Sequence, residues 1–256
     1  MSAKAAPAEA GLALPAWPAG TDRLILDQID STNAEALRRA PELRGPLWIL
    51  ARRQTGGRGR RGRAWIDPPG NFAATLVQRT DAPPAELALR SFVAALALHD
   101  ALEALTGCGA ALALKWPNDV LLNGGKLSGI LLETGGQGAL AIGIGVNLRH
   151  APPAERAAAF PPVSLRHETG HDLTPEALLD HLAPAMSAWE QRLQRQGFAP
   201  LRTAFLSRAA RLGQGITARV GTTTESGRFV DIDATGALVL ETGSGRRTIP
   251  AAEIHF

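Results

Sequence analysis

Tyrosine is absent from this chain of 256 residues, and there is a single cysteine, Cys108. One cysteine cannot close a disulfide within the chain, so the fold must rest on its own core, and a reducing, cytoplasmic setting is the natural expectation. At this length roughly three quarters of the unfolded surface can be buried, which is enough for a core without staples. Long apolar runs are also missing. The most apolar stretch, residues 86–105, carries Arg90, His99, Asp100 and Glu103, so it reads as a buried or half-buried helix and no membrane partner is expected. Residues 1–20 hold one lysine, Lys4, and are interrupted by Pro7, Pro15 and Pro18. They lack the apolar run of a signal peptide and read as a flexible lead-in.

Lysine is nearly missing as well. Of the 27 Lys and Arg residues only three are lysine, namely Lys4, Lys115 and Lys126. Arginine has taken every other cationic position, so two lysines 11 residues apart mark a segment where an ammonium group has particular work. The five asparagines, Asn33, Asn71, Asn118, Asn123 and Asn147, all fall in the first 150 residues. Net charge is only +3 although the pI is about 9.7, because arginine does not titrate. That mild excess permits a nucleic-acid partner without arguing for one.

Several chemistries are excluded by missing motifs. There is no Walker A loop and no dinucleotide-binding glycine fingerprint after the first strand. No serine nucleophile elbow is present. The six histidines are scattered, and His167 and His171, four apart, lack a third ligand nearby, so no metal-ligand spacing exists.

What is present reads as an α+β chain. Residues 23–29 and 47–51 are strands, flanking a helix from about 32 to 40 in which Thr32 and Glu35 have capping-box spacing. A strand at 72–78 precedes a long helix ending near 105. Short apolar runs at 110–114, 120–122, 127–133 and 139–146 are separated by Asn123-Gly124-Gly125 and Gly135-Gly136-Gln137-Gly138. Both are hairpin signals, so these strands are antiparallel. The expected architecture is a mixed, mainly antiparallel sheet with helices on one face. A Pro/Ala linker at 151–162, helices near 175–196 and 200–210, and a small all-β unit from about 212 complete the chain. The expected divisions are a lead at 1–20, a main domain at 21–211 and a C-terminal barrel at 212–256.

Four segments carry chemistry. Residues 52–63 hold six arginines among glycines and run into Trp65. The arginines supply fixed charge and bidentate donors for carboxylate and phosphate, the glycines allow close backbone approach, and mutual repulsion should keep the loop mobile until an anion binds. An RNA-binding basic patch is the competing reading; it calls for stacking aromatics near the basic run, and Trp65 is the only one. Lys115-Trp116-Pro117-Asn118-Asp119 sets a cation, an amide and a carboxylate at a sheet edge, although Pro-Asn-Asp is also ordinary turn composition. Lys126, seven residues after Asp119, can project into the same site as a point charge on phosphate. Gly143-Ile144-Gly145-Val146-Asn147 is a glycine-thinned strand, read either as close ligand approach or as a bulge.

In this order and spacing, DSTN (30–33), GRGRRGRAW (57–65), KWPND (115–119), KLSGIL (126–131) and GIGVN (143–147) resemble the biotin protein ligase family, and residues 227–238 are similar to that family's small C-terminal barrel. The resemblance implies an enzyme that joins biotin and ATP as biotinyl-5'-AMP, with Mg²⁺, and passes biotin to a lysine of a biotin carboxyl carrier protein or domain. It implies biotin contacts from Ser31, Thr32, Asn33, Gln54, Gly57, Arg58, Arg60, Lys126 and Gly129. ATP and adenylate contacts would come from Arg60, Arg61, Arg63, Trp65, Lys115, Asn118, Lys126 and Asn147. Lys126, Arg60 and Asp119 would be catalytic, with Asp119 orienting the network or helping to hold Mg²⁺. Some 20 residues before the first strand are too few for the winged helix-turn-helix of the family's bifunctional members, so a ligase without repressor function and without a nucleic-acid partner is expected. A weak homodimer is a further expectation. The lipoate- and octanoyl-transferring relatives on the same fold lack the arginine-rich loop, which separates this chain from them.

Overall fold

The computed structural model describes residues 16–153, 160–220, 223–250 and 253–255. The lead-in expected at 1–20 therefore lies mostly outside the described residues. Of its last five, Trp17 packs on the core, donates from Nε1 to the Thr21 carbonyl at 2.7 Å and lies under the Arg23 guanidinium at 4.8 Å.

In chain order the elements are β1 (Asp22–Leu26), α1 (Thr32–Arg39), β2 (Leu47–Ala51), β3 (Phe72–Arg79), α2 (Pro84–Ala88), α3 (Arg90–Thr106), β4 (Leu112–Lys115), β5 (Asp119–Leu122), β6 (Gly125–Thr134), β7 (Ala139–Val146), α4 (Leu165–Thr169), α5 (Pro175–Gln196), α6 (Ala199–Leu206), β8 (Gly215–Val220), β9 (Thr223–Ile232), β10 (Leu238–Thr242), β11 (Gly245–Ile249) and β12 (Glu253–His255). Seven strands form the main sheet in the order β1-β2-β3-β7-β6-β5-β4, and five form the C-terminal sheet in the order β11-β10-β9-β8-β12. Among the paired strands of the described residues only β1 and β2 run parallel; the glycine turns at 123–125 and 135–138 make β5–β6 and β6–β7 antiparallel hairpins, as their sequence requires, and β2–β3, β3–β7 and β4–β5 are antiparallel as well. Asn123 and Gln137 take positive φ (49° and 57°), each followed by a glycine that does the same, which is the geometry that reverses a chain tightly.

Helices cover both faces of the sheet, not one as the sequence pattern suggested. On one face, Trp48 and Leu50 of β2, Phe72, Ala74 and Leu76 of β3 and Ile142 and Ile144 of β7 meet the apolar α3 and α5 in the main core. Alternate residues of the same strands, Ile49, Val77, Ala139 and Ala141, meet Ala36 and Ala40 at α1 on the other face. Side chains two apart along a strand share a face, so a run such as Leu47–Ala51, apolar at every position, has to be covered twice.

The start of α1 is tied down by DSTN itself. Ser31 is the N-cap and its side chain accepts from the Ala34 N–H, one residue earlier than the Thr32/Glu35 spacing suggests. Glu35 does not reach back to the cap; its carboxylate pairs with Arg38 and Arg39 one turn on. Asp30 accepts from Arg38 and from the Ser31 N–H, and these bonds hold its carboxyl down at about 2.

The C-terminal sheet shares the main hydrophobic core through Ile216, Phe229, Ile232 and Leu238. Phe92 of α3 meets Phe198 and Phe205 edge-on, each at 4.9 Å between centroids. Polar ties follow the same seam: Trp116 Nε1 donates to the Gly236 carbonyl at 2.9 Å, and Arg202 of α6 binds Asp231 and the Ile232 carbonyl. Among the described residues no helix is long and apolar enough to cross a membrane. Replacing Phe92 by Ala should destabilise the fold by about 3–5 kcal/mol, the range for a buried aromatic. Urea titration would read this as a lowered midpoint with an unchanged slope.

Candidate active site

A cleft of about 400 Å³ opens between the arginine-rich loop, the 115–119 turn and the strands β6 and β7. Every residue singled out from the sequence for the two substrates lines it, with one exception. Gly57, within the loop, packs against its far end: its carbonyl accepts from the Trp65 N–H at 2.9 Å and a Cβ would sit 2.8 Å from the Trp65 carbonyl. The cleft has three parts that differ in chemistry.

The cationic part is built on a hairpin. β4 pairs with β5 so that Lys115 and Asp119 are register partners, and β5 pairs with β6 so that Lys126 lies alongside. Lys126 Nζ reaches Asp119 Oδ1 at 2.7 Å and Lys115 Nζ reaches Oδ2 at 3.1 Å, so one carboxylate anchors two ammonium groups. Asp119 and Lys115 are buried (8% and 11% of their side chains exposed), whereas Lys126 keeps 36% exposed and is the more accessible of the two cations. Burial opposes ionisation of Asp119, yet the charges of Lys126 and Lys115 outweigh it and hold the carboxyl below the usual carboxylate range. Beside them Arg60 Nη1 donates to Asn118 Oδ1 at 3.0 Å, and Asn118 Nδ2 donates to the Ile130 carbonyl at 2.6 Å.

The polar part sits at the start of α1. Gln54 Oε1 accepts from the Thr32 N–H (2.9 Å) and Thr32 Oγ1 (3.1 Å). Thr75 Oγ1 lies 2.8 Å from Thr32 Oγ1 and 2.6 Å from Asn33 Oδ1. Asn33 Nδ2 donates to Glu133 Oε2 at 2.8 Å, and Glu133 Oε1 faces Arg58 at 3.4 Å. A continuous polar chain therefore runs from the buried Thr75 to the arginine loop. Asp67 closes it from below, accepting the Gln54 N–H at 3.1 Å. Burial raises its carboxyl to about 6 against the lowering effect of its Gln54 bonds.

The third part is a floor of glycines. Trp65 lies flat on β6 and β7: a Cβ at Gly145 would stand 2.5 Å from its ring, and one at Gly129 would stand 3.2 Å away. A Cβ at Gly143 would run into Asn33 Oδ1. The glycine-thinned strand is thus close approach and not a bulge, since β3 and β6 pair across it without register shift. Trp65 Nε1 and Asn147 Oδ1 are buried without a protein partner. Asn147 Nδ2 donates to the Val163 carbonyl at 3.1 Å, which ties the floor to the segment after the linker.

Some lining residues carried no signal in sequence. Pro152, Pro153, Phe160 and Pro162 form a wall from the stretch read as a mere linker, with Phe160 4.5 Å from Lys115 Nζ. Glu133 and Asp67, which are bonded to lining residues, carried no signal either: each is a single carboxylate, with its partner 100 and 13 residues away. Outside the cleft, His99, Asp100 and Glu103 of α3 bring three ligand atoms within 4.8 Å of one another. Asp100 is already bound by Trp189 Nε1 at 2.7 Å and Arg208 at 2.8 Å, so this group acts as a joint between α3, α5 and the chain after α6.

Asp119→Asn should leave two ammonium groups without their carboxylate and cost about 3–5 kcal/mol near neutral pH. Because the folded pKa of Asp119 is lowered, its contribution is present above the unfolded value of 3.8 and lost as pH falls through the folded one. Denaturation at pH 7 and at pH 3 should therefore show the variant's deficit shrinking in acid. Gly145→Ala should push the Trp65 ring off the floor; tryptophan fluorescence would report it as a shifted emission with little change in far-UV dichroism.

Residues 25–148 match the biotin/lipoate A/B protein ligase family, and residues 212–256 match the biotin protein ligase C-terminal domain. A biotin–[acetyl-CoA-carboxylase] ligase of Paracoccus denitrificans is 56% identical over 238 residues, covering 91% of this chain and 99% of that protein. The bifunctional ligase/repressor BirA of Escherichia coli K12 is 34% identical over 227 residues, covering 85% of this chain and 68% of BirA. Among solved structures, the biotin protein ligase from Aquifex aeolicus in complex with biotin and ATP is similar with a TM-score of 0.79 and 26% identity, covering 91% of this chain and 97% of that one. With identity of 56% across nearly the whole of a ligase of this kind, and with the family's motifs gathered around one cleft, the chain belongs to the biotin protein ligase family.

Proposed function

We propose that the cleft joins biotin to ATP as biotinyl-5'-AMP and then delivers biotin to a lysine of a biotin carboxyl carrier domain. The observation that carries this reading is the pair of ammonium groups anchored on Asp119, with the arginine loop above them. Two anions, a carboxylate and a triphosphate, repel each other, and fixed positive charge in a water-poor site is what brings them together. A carboxylate oxygen of biotin attacks the α-phosphorus, the bond to the β-phosphate breaks and pyrophosphate leaves. The acceptor lysine, as a free amine, then attacks the acyl carbon, AMP leaves and the new amide nitrogen loses a proton.

Within this scheme Lys126, the exposed member of the pair, meets both the carboxylate and the α-phosphate, while Asp119 and Lys115 hold it in place. Arg60 and Asn118 are bonded to each other beside them and serve the phosphates and the base. Arg61, Arg63, Asn147 and Trp65 complete the adenylate side. Ser31, Thr32, Asn33, Gln54 and Arg58 hold biotin over Gly129, with Gly57 letting the loop close. Closure of that loop keeps water from the mixed anhydride.

Asp119 and Glu133 do not fit a resident Mg²⁺. Both oxygens of Asp119 are engaged by lysine, and Glu133 is engaged by Asn33 and Arg58. The role for Asp119 that the geometry favours is orientation, and Mg²⁺ enters this proposal only as the counter-ion that accompanies ATP as substrate. The acceptor and the absence of repressor function draw support from the 56% identical relative, which carries the ligase name alone, with acetyl-CoA carboxylase as its target.

Biotin-dependent exchange of labelled pyrophosphate into ATP tests the first half-reaction. Exchange should require biotin and ignore lipoate, and Lys126→Ala should lower it on the order of 10²-fold or more. Exchange driven by lipoate would move the chain to the sister activity on this fold. No exchange with either acid, from folded protein, would sink the proposal.

A further inference from the structure

We propose that Asp67 is a positioning residue whose carboxylate fixes which way the Gln54 side-chain amide faces, and thereby sets the affinity of the cleft for its carboxylic-acid substrate. The inference rests on the reading that Gln54 touches biotin. Gln54 is held at both ends of its amide. Its Oε1 accepts twice from Thr32, while its Nε2 points to Asp67 Oδ2 at 3.5 Å, the same oxygen that takes the Gln54 main-chain N–H at 3.1 Å. A flipped amide would set its oxygen against a carboxylate and its NH₂ against the Thr32 N–H, two repulsive contacts in place of attractive ones. One orientation survives, and it leaves a defined donor face toward the cleft.

Asp67 is an awkward residue to bury for support alone. It is 9% exposed, and its Oδ1 has no hydrogen-bond partner. No ionisable side chain of the described residues contributes to its shift; burial dominates, opposed only by the Gln54 bonds. A neutral Asn or Ser could accept the Gln54 N–H without the desolvation of a charge. With its carboxyl raised from 3.8 to about 6, Asp67 costs stability as pH rises through that interval. What the charge provides in return is rejection of the wrong amide orientation, which a protonated carboxyl, able to donate as well as accept, does not enforce.

The experiment is calorimetric titration with biotin alone, between pH 5 and 7.5, on the full-length wild type and Asp67→Asn, with thermal melts of both. Wild-type affinity should fall about 2–10-fold from pH 7.5 to pH 5, the effect of one hydrogen bond. Asp67→Asn should lack that step and bind at pH 7.5 as weakly as the wild type does in acid. In steady-state assays its KM for biotin should rise with kcat unchanged. Its melting temperature should be higher than wild type at pH 7.5, and that advantage should vanish near pH 4. A residue kept only for packing would instead lower the melting temperature and leave the pH profile alone. A wild-type pH profile retained by Asp67→Asn overturns the proposal for Asp67 while biotin binding itself stands. No biotin binding by the wild type at any pH would overturn the parent reading, and this one with it. Should Asp67→Asn fail to fold, Asp67→Ser, which also cannot titrate, serves the same comparison.

Discussion

One buried carboxylate shared by two ammonium groups organises this molecule. Asp119 sits at the first position of β5, cross-strand from Lys115 and bonded to Lys126 on the neighbouring strand. A lone carboxylate in that position would protonate, and two lysines there without it would repel each other and lose their charge to desolvation. Together they form a compact cationic site with a net positive charge, fixed in place by a three-stranded antiparallel hairpin. The rest of the cleft is arranged around that charge. The 123–125 turn joins β5 to β6, Trp116 donates from behind to the Gly236 carbonyl, and Ser91 of α3 donates to the Pro117 carbonyl at 2.8 Å.

Removal of side chains matters as much as their placement. Gly129, Gly143 and Gly145 leave a bare strip of backbone on β6 and β7, and Trp65 and Asn33 occupy the space that Cβ atoms would have taken. The strip lets the arginine-rich loop descend onto the sheet without a hinge in the sheet itself. Its charges are already partly answered: Arg58 faces Glu133 and Arg60 bonds Asn118. These two arginines are thus already partnered within the protein, and their contacts tie the loop to β6 and to the 115–119 turn.

The C-terminal sheet belongs to the same argument. It shares a continuous core with α3 and α6 and touches the 115–119 turn through Gly236. The 115–119 turn and the small sheet are thus tied to each other by a hydrogen bond and by shared core packing.

Sequence alone determined the local and the chemical. The Asn123-Gly124 and Gln137-Gly138 turns, the helical run through α3 and the apolar strands follow from backbone conformational limits and periodicity, which act over a few residues. The scarcity of lysine marks Lys115 and Lys126, because residues that composition otherwise avoids stand out where they are kept. Tertiary structure decided what those signals could not reach. That α1 covers the second face of the sheet depends on alternation in β2, β3 and β7 being read together. That Ser31 caps α1 while Glu35 serves Arg38 and Arg39 was decided by geometry, since the spacing pointed to Thr32 as the cap. Glu133 and Asp67 bond to residues of the site, and Pro152, Pro153, Phe160 and Pro162 line it, only because the chain folds back over it. A single carboxylate or proline has no periodicity to announce it, and burial, which raises the Asp67 carboxyl, is set by residues distant in sequence.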